Sequence, residues 1–596
     1  MLAVLAFGVL IYAGFHRRGN VTKFARTRSH LLSLGVVLAI ILGISQVYQS
    51  RDAAADDDFL ETATASPKMQ GATAESLAAS GLAVVWTYHN DNGRSGQNLV
   101  ETVLTPQSVT GAKFGKLYSF PLDGYVYAQP LYIPQVAVPG NGVHNVVIVA
   151  TQHDSVYAFD SDSPAPEPLW KVNFLDPDAG VTTLSAADVN ASDILPEIGI
   201  TSTPVIDIAS NTVYVVAATK EHGAYYHRLH ALDLASGAEK FGGPRAIQAT
   251  YPGAAQDGSD GLLTFSSRFQ LQRAALLLTK GKVYVAFASN ADSGLYHGWV
   301  IAYDATTLRQ SGAWVSTPDG YQGGIWMSGC GIAADNDGTL YLSTANGPFD
   351  AYGEQPGLNL SDSIVKLKPG AHGIALTDHF TPYNQAKMAE DDLDLGSAGV
   401  MLLPEQTGPY PHLAITSGKD GHIYVLNRDS LGGYNQGKGN PQAVQEIAGQ
   451  LKQQMGTPAY WNGRVYFGAG ISPHKDGIKA FALQNGTVSK TPVSQTAATS
   501  HLTRSTVSIS ANGNSNGIVW AVESDAYFDA HQGPAVLHAY DATDLSRELY
   551  NSQQRLARDN PGQASKFTLP TVADGKVFVA GANQLSVYGL LPVPGP

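Results

Sequence analysis

The chain repeats one pattern eight times: an apolar β-strand, a short turn and a second strand. The first strands are residues 146–150, 213–218, 283–287, 340–344, 412–416, 465–468, 518–522 and 577–580. Their partners are residues 156–160, 229–233, 300–304, 363–367, 423–427, 479–483, 537–541 and 585–589. A repeat of tens of residues built only from strands and turns is typical of propeller blades and excludes a helical solenoid. We therefore predict an all-β, eight-bladed β-propeller of four-stranded antiparallel blades.

The last repeat lacks a strand that the N-terminal end of the repeat region can supply. The last repeat, residues 568–591, supplies three strands instead of four, and residues 113–120 form an extra strand pattern ahead of the first full repeat. Joining the termini in one blade removes exposed sheet edges, which otherwise promote aggregation. We therefore predict that this N-terminal strand completes the last blade.

Four of the second strands end in an aspartate, namely Asp160, Asp233, Asp304 and Asp541. Aspartate side chains accept hydrogen bonds from the backbone two residues further on, and this stabilises turns. Because these residues recur with the blade, the sequence favours turn capping over catalysis.

The N-terminus predicts export. The uncharged apolar run 31–43 follows five basic residues, Arg17, Arg18, Lys23, Arg26 and Arg28. This order is typical of a secretory signal or an uncleaved membrane anchor. A second apolar run at residues 1–14 is short for a bilayer span, so either translation starts downstream or the two runs form a hairpin. Both alternatives place the rest of the chain outside the cytoplasm.

These features divide the chain into three parts. Residues 1–50 are the predicted signal or anchor region, which provides the only membrane contact. Residues 51–82 are rich in Ala, Asp, Ser and Thr without a strand pattern, as in a flexible tether. Residues 83–596 form the predicted propeller, in the periplasm or outside the cell.

Composition excludes several classes of function. The formal net charge of -13 disfavours nucleic acid as a partner, because phosphate binding needs clustered Lys and Arg. The single cysteine, Cys330, excludes an intramolecular disulfide, a cysteine-based zinc site and covalent haem attachment, and it is predicted to be a buried thiol. The sequence also shows no nucleotide-binding fingerprint. We therefore expect no haem, no zinc and no nucleotide cofactor.

The repeat resembles that of the quinoprotein-like propeller superfamily over residues 113–591. The segment LHALDLASG (229–237) shows the repeat motif best, and WTYHNDNGRSGQN (86–98) is similar to an opening segment common in this group. The superfamily includes dehydrogenases that use pyrroloquinoline quinone (PQQ) and cofactor-free scaffolds for outer-membrane assembly. The chain is similar to uncharacterised exported bacterial members.

The resemblance implies a site at the fourth and fifth repeats. Asn346, in TANGP (344–348), matches a calcium ligand of the dehydrogenases. Asp394, in DDLDLG (391–396), matches their catalytic base and is implied as a metal ligand too. Trp326 matches the tryptophan on which the planar quinone stacks, and Lys419 matches the lysine that contacts the quinone oxygens. Glu221 is a further metal ligand implied by the resemblance, with a one-residue gap in the match. The implied cofactors are PQQ and Ca²⁺.

Three departures leave two hypotheses open. One cysteine cannot form the disulfide that caps the quinone in these enzymes, Leu393 replaces a motif tryptophan, and no cytochrome segment is attached. The chain is either a PQQ- and calcium-dependent dehydrogenase of a small alcohol or sugar, or a non-catalytic propeller that binds a protein, peptide or glycan in the cell envelope. The sequence leaves enzymatic activity uncertain. A propeller encloses a central channel. The enzyme hypothesis predicts that four residues meet at one end of this channel, namely Trp326, Asn346, Asp394 and Lys419.

Overall fold

The computed structural model describes residues 72–471, 476–498, 502, 504–528 and 533–592. The predicted signal or anchor region (1–50) and the tether up to residue 71 lie outside these residues. The described end of the tether contains the helix Ala74–Ala79, which Thr73 caps and whose Leu77 is buried in the core. In the described part of the chain, no helix is long and apolar enough to cross a bilayer.

The strands form eight antiparallel blades, as predicted. Blade 1 contains Leu131–Val138, Gly142–Ala150, Ser155–Asp160 and Trp170–Asn173. Blade 2 contains Val205–Asp207, Thr212–Glu221, Ala224–Asp233 and Arg245–Ala246, with Val181–Thr182 added. Blade 3 contains Leu277–Thr279, Lys282–Ser289, Trp299–Asp304 and Gln310–Val315, with Gln270–Leu271 added. Blade 4 contains Ala333–Ala334, Leu340–Ser343, Ile364–Gly370 and Gly373–Thr381, with Gly433–Tyr434 added.

The second half of the ring follows the same plan. Blade 5 contains Met401–Leu402, Leu413–Ser417, Ile423–Asn427 and Gln445–Ile447. Blade 6 contains Ala459–Trp461, Arg464–Phe467, Lys479–Gln484 and Thr487–Val488, with Ser494–Gln495 added. Blade 7 contains Val507–Asn512, Ser515–Glu523, Val536–Asp541 and Asp544–Asn551, with Gln97–Asn98 added. Blade 8 contains Thr571–Ala573, Lys576–Ala580, Ala582–Leu590 and Phe114–Tyr125.

The remaining elements are short and lie in the connections. Thr250–Pro252 and Leu262–Thr264 pair as a separate hairpin. The other α-helices are Ala186–Val189, Gln385–Glu390 and Leu556–Asp559. The 3₁₀ helices are Pro177–Ala179, Met327–Gly329, Leu395–Ser397, Asp525–Phe528 and Ser552–Arg555.

The N-terminal strand completes blade 8. Phe114–Tyr125 pairs antiparallel with Ala582–Leu590, from Phe114 opposite Leu590 to Phe120 opposite Leu585. Both termini of the propeller therefore contribute to one sheet, which confirms the predicted closure.

Apolar side chains fill the spaces between neighbouring blades. Phe380 of blade 4 meets Tyr424 of blade 5 with ring centroids 5.3 Å apart, and both rings are fully buried. Tyr214 of blade 2 donates a hydrogen bond to the Ala305 carbonyl of blade 3 at 2.8 Å. These rings bury a large apolar area while the Tyr214 hydroxyl remains bonded, so such contacts fix neighbouring blades to one another.

The recurrent aspartates cap turns. In Asp160, Asp233, Asp304 and Asp541, Oδ1 accepts a hydrogen bond from the backbone N–H two residues later, at 2.8–3.1 Å. The turn-capping hypothesis is therefore confirmed. Cys330 is buried, also as predicted.

Residues 85–101, here called the spiral segment, close one end of the channel. The segment touches all eight blades in ring order through hydrogen bonds to their inner strands or the turns that follow. The blade-side residues are Tyr132, Ile206, Leu278, Ala334, Leu402, Tyr460, Ile509, Val572 and Gly575. Gly96 has φ of +69° and lies against the His89 ring, where a Cβ would come within 2.5 Å, so the tight curve needs glycine there.

Candidate functional site

A cavity of about 330 Å³ lies at the channel end opposite the spiral segment. Two kinds of loop line it: those that enter the inner strand of a blade and those that join its second and third strands. The spiral segment instead lies where inner strands turn back into second strands. Ring geometry therefore leaves the loops of one face free to form a site.

The four residues implied by the motifs come from such loops in blades 4 and 5. Trp326 precedes the inner strand of blade 4, and Asn346 follows the second strand, Leu340–Ser343. Asp394 precedes the inner strand of blade 5, and Lys419 follows the second strand, Leu413–Ser417. Trp326, Asp394 and Lys419 line the cavity, and Asn346 contacts Asp394. The predicted convergence is therefore observed.

Lys419 lies at the centre of this group. Its Nζ is 2.6 Å from Asp394 Oδ2 and 2.8 Å from Asp392 Oδ1. The same atom is 5.8 Å from the centroid of the half-buried Trp326 ring. One cation thus holds two carboxylates beside an aromatic surface, an arrangement that combines an ion pair with a cation–π contact.

Asn346 connects the same two carboxylates through its nitrogen atoms. Its backbone N–H donates to Asp394 Oδ1, and its Nδ2 donates to Asp392 Oδ1, both at 2.9 Å. Its Oδ1 is buried and accepts no hydrogen bond from the described residues. A buried acceptor without a partner is costly, so this oxygen is available to a ligand.

Asp362 supports the loop that carries Asp394, and the motifs did not indicate it. It is fully buried, and its oxygens accept hydrogen bonds from Leu395 N and Gln385 Nε2, each at 3.1 Å. Burial, reinforced by the charge of Asp394, raises the pKa of the Asp362 carboxyl well above its usual value. Asp362 is a positioning residue for the backbone next to Asp394.

Burial also sets the basicity of Asp394. Burial raises the pKa of Asp394 above the ordinary value, although the charge of Lys419 and the hydrogen bond from the Asn346 N–H lower it. Burial alone lowers the pKa of Lys419, but Asp394 and Asp392 outweigh it and the pKa is raised. The pair therefore comprises a charged lysine and a carboxylate of increased basicity, which suits a proton acceptor.

The oxygen atoms of Asp392, Asp394 and Asn346 fit a hard cation. Carboxylate and amide oxygens are the preferred ligands of Ca²⁺, and the unbonded Asn346 Oδ1 is the observation that favours a metal here. Across the described residues, no group of three His, Cys, Asp or Glu side chains gathers as a metal cluster. The set is thus two carboxylates and one amide.

Glu221 is not brought to this cavity. It ends the strand Thr212–Glu221 and contacts Arg228 through both carboxylate oxygens, at 2.8 and 2.6 Å. The Arg228 guanidinium is the main cause that lowers the pKa of Glu221. The geometry assigns this carboxylate to an ion pair within blade 2.

A second group of side chains lines the same cavity and was missed from the sequence. Arg273, Arg504 and Lys566 each lie a few residues before the inner strand of a blade, in blades 3, 7 and 8. The sequence signal that could have indicated them is a basic residue a few positions before the inner strand of a blade, which recurs in three blades. Together with Lys419, they give the cavity four cationic side chains, which line it beside four aspartates, Asp193, Asp292, Asp392 and Asp394.

Comparison with known structures gives the fold. The chain is similar to a europium-containing methanol dehydrogenase over 85% of its own length and 98% of that chain, with a TM-score of 0.52 and 11% identity. It shares the fold of that enzyme. The eight-bladed propeller predicted from the repeat is thereby confirmed.

Other likenesses are looser. The computationally designed Ika8 protein matches 80% of this chain and 99% of its own, with 12% identity and a TM-score of 0.38. Sqt1 of Saccharomyces cerevisiae matches 80% of this chain and 100% of its own, with 11% identity and a TM-score of 0.42. No protein-family model and no curated protein matches the chain.

Proposed function

We propose that the chain is an exported quinone- and metal-dependent dehydrogenase that oxidises an alcohol or a sugar. The observation that carries the proposal is the meeting of Trp326, Asn346, Asp394 and Lys419 at one channel mouth, although 93 residues of sequence separate the first from the last. Ring geometry already places these loops on one face, so the direct contacts among the side chains carry the proposal. A dehydrogenase fold in the neighbouring structure supports the same reaction class.

The roles follow from the chemistry of each side chain. A bound quinone would accept hydride from the substrate carbon, and a bound metal would polarise the quinone carbonyl. Trp326 offers the flat surface for the ring, and Asn346, Asp392 and Asp394 offer the metal oxygen ligands. Asp394 lines the same cavity and would accept the proton of the substrate hydroxyl.

The metal is proposed as Ca²⁺ or a trivalent lanthanide. The second carboxylate, Asp392, adds negative charge to the set, and the similar methanol dehydrogenase contains europium. A higher ligand charge favours a more highly charged cation. Because Lys419 already contacts both carboxylates, metal binding requires that this ion pair adjusts.

Reconstitution tests the proposal. The purified full chain is incubated with PQQ and either Ca²⁺ or La³⁺, desalted, and assayed for retained quinone absorbance and dye-linked oxidation of alcohols and sugars. We expect retained quinone and dye reduction with one of the two metals. Failure of quinone retention and dye reduction with both metals would overturn the proposal.

The second candidate function is a non-catalytic envelope propeller that binds a protein, peptide or glycan. The observation that favours it is the Lys419 ion pair, which neutralises the two carboxylates without a metal. Fractionation of cells that express the full chain tests export for both candidates. Recovery in the cytoplasm would contradict the proposed location.

A further inference from the structure

Two cations lie in the cavity wall without a carboxylate partner. Arg273 is 3% exposed and Lys566 is half-buried, and both line the cavity of about 330 Å³. Among the described residues, neither has a carboxylate oxygen within 4.0 Å, whereas Lys419 has two such contacts. Burial of an unpaired charge is strongly unfavourable, so proteins normally pair it or use it to bind a ligand.

The hydrogen bonds of the two cations leave donors free. Arg273 donates to the Thr201 carbonyl at 3.2 Å through Nη1 and to the Ser328 carbonyl at 3.1 Å through Nη2. Lys566 donates to the Asp193 carbonyl at 3.0 Å. A guanidinium has five N–H donors and an ammonium three, so most of their donors have no acceptor among the described residues.

Their other contacts position the charges. Arg273 lies over the rings of Tyr127 and Phe567, at 5.6 and 5.5 Å, and Lys566 lies 5.3 Å from the Phe567 ring. Arg504 joins the group, with its guanidinium 4.2 Å from the Phe528 ring and 3.9 Å from Asp525. The aromatic rings hold Arg273 and Lys566 in place without neutralising them, whereas Arg504 is paired with Asp525.

The acidic groups that line the cavity make no ion pair with Arg273 or Lys566 among the described residues. Asp392 and Asp394 are bound to Lys419, and Asp292 accepts hydrogen bonds from the Tyr296 hydroxyl and its own loop. The charge of Asp193 compensates Arg273 and Lys566 in part, but its Oδ1 accepts no hydrogen bond from the described residues. The cations also repel one another, and burial with that repulsion lowers the pKa of Lys566 to about 8.

We infer that Arg273 and Lys566, with Arg504 beside them, form an oxyanion subsite, and that the ligand of this cavity carries a carboxylate or phosphate group bound there. Guanidinium and ammonium donors match such groups in shape and charge. The subsite shares one cavity with Trp326 and Asp394, so a single small organic anion can contact both groups of side chains. A bound oxyanion would relieve the repulsion that Arg273 and Arg504 exert on Lys566.

The inference rests on the proposed function and deepens it, and the experiment distinguishes two sources of the oxyanion. The oxyanion belongs either to the quinone or to the substrate. Isothermal titration calorimetry on the full chain compares PQQ with its uncharged trimethyl ester, and glycerate with glycerol. The variants are Lys566→Met, which removes the charge, and Lys566→Arg as the matched control that keeps it.

We expect one acid of the two pairs to bind at least about tenfold more tightly than its neutral analogue, since charge-assisted hydrogen bonds are strong. Lys566→Met abolishes most of that preference and Lys566→Arg retains it. Preference within the PQQ pair assigns the oxyanion to the quinone, and preference within the glycerate pair assigns it to the substrate. Equal binding of acid and neutral analogue in both pairs overturns the inference.

A proton measurement separates ligand binding from a structural role. An oxyanion that contacts Lys566 raises its pKa, so binding at pH 8.5 takes up protons, measured as a dependence of the binding enthalpy on buffer ionisation. Lys566→Arg, whose guanidinium is always charged, shows much less uptake. Failure of both PQQ and its ester to bind rejects the proposed function alone, because glycerate still tests the subsite.

Discussion

The two ends of the channel each bury an arginine, but the two side chains are used differently. At the closed end, Arg94 of the spiral segment donates to the Ile332 carbonyl at 2.9 and 2.7 Å, and to Thr87 Oγ1 and the Tyr88 carbonyl at 2.8 Å. At the cavity end, Arg273 has two carbonyl acceptors among the described residues. Both side chains are buried to a similar degree.

The difference separates a structural charge from a binding charge. Arg94 distributes its donors over backbone carbonyls of the spiral segment and blade 4, so it fastens the segment to the ring. Arg273 keeps donors unused next to an open cavity. Burial of a cation alone therefore does not identify a binding site. The number of its hydrogen-bond donors that have acceptors within the protein separates a cation that stabilises the fold from one that can bind a ligand.

Arg94→Met gives the largest expected effect and tests the structural side of this comparison. The substitution leaves the Ile332 and Tyr88 carbonyls without their donor, and each buried unsatisfied group costs about 1–3 kcal/mol. We expect the free energy of unfolding to fall by about 4 kcal/mol, measured by urea denaturation. Quinone binding by the folded fraction stays unchanged.

The control for Arg94→Met is Arg94→Lys, which keeps the charge and loses the planar arrangement of donors. It should destabilise the protein by an intermediate amount. Stability equal to that of the wild type in both variants would contradict the structural role of Arg94 and remove the contrast between the two ends.

Asp394→Asn tests the cavity end of the channel. The amide keeps an acceptor for the Asn346 N–H but cannot take a proton, and a general base contributes about 10²–10⁴-fold to a rate. We expect dye-linked oxidation by the reconstituted enzyme to fall at least about 100-fold, while the free energy of unfolding changes by less than about 1 kcal/mol. Activity within a factor of a few of the wild type would reject Asp394 as the base.

Lys566→Met tests whether the cavity end carries electrostatic strain. The pKa of Lys566 is about 8 in place of 10.5, which corresponds to about 3 kcal/mol against its charged form. Since the unfolded lysine keeps its proton up to higher pH, this destabilisation is complete below pH 8 and disappears as the pH rises towards 10.5. Loss of the hydrogen bond to Asp193 offsets part of the gain.

We therefore expect Lys566→Met to raise the free energy of unfolding at pH 7 by about 2 kcal/mol, and by much less at pH 10. Urea denaturation of variant and wild type at both pH values measures the difference, and other titrating groups cancel between the two proteins. A destabilised variant at pH 7 would show that Lys566 is already compensated and weaken the case for an oxyanion subsite.

The sequence predicted the ring and one side of the cavity for different reasons. Strand alternation and recurring turns are local signals, so eight blades and the closing strand Phe114–Tyr125 followed from them. Trp326, Asn346, Asp394 and Lys419 were recognisable because each lies in a motif. Asp362, Arg273 and Lys566 carry no motif, and their importance arises from burial and partners that only the folded chain defines.

Glu221→Gln gives the smallest expected effect and tests whether the metal set is confined to blades 4 and 5. The Glu221 carboxylate is paired with Arg228 and partly exposed, and exposed ion pairs contribute about 0.2–1 kcal/mol. We expect the free energy of unfolding to fall by about 0.5 kcal/mol and metal affinity to stay unchanged. Asn346→Ala, which removes the unbonded buried oxygen, is the matched comparison and should weaken metal binding at least about tenfold. If Glu221→Gln weakens metal binding as strongly, the ion pair with Arg228 must open in the loaded protein, and the metal site then extends to blade 2.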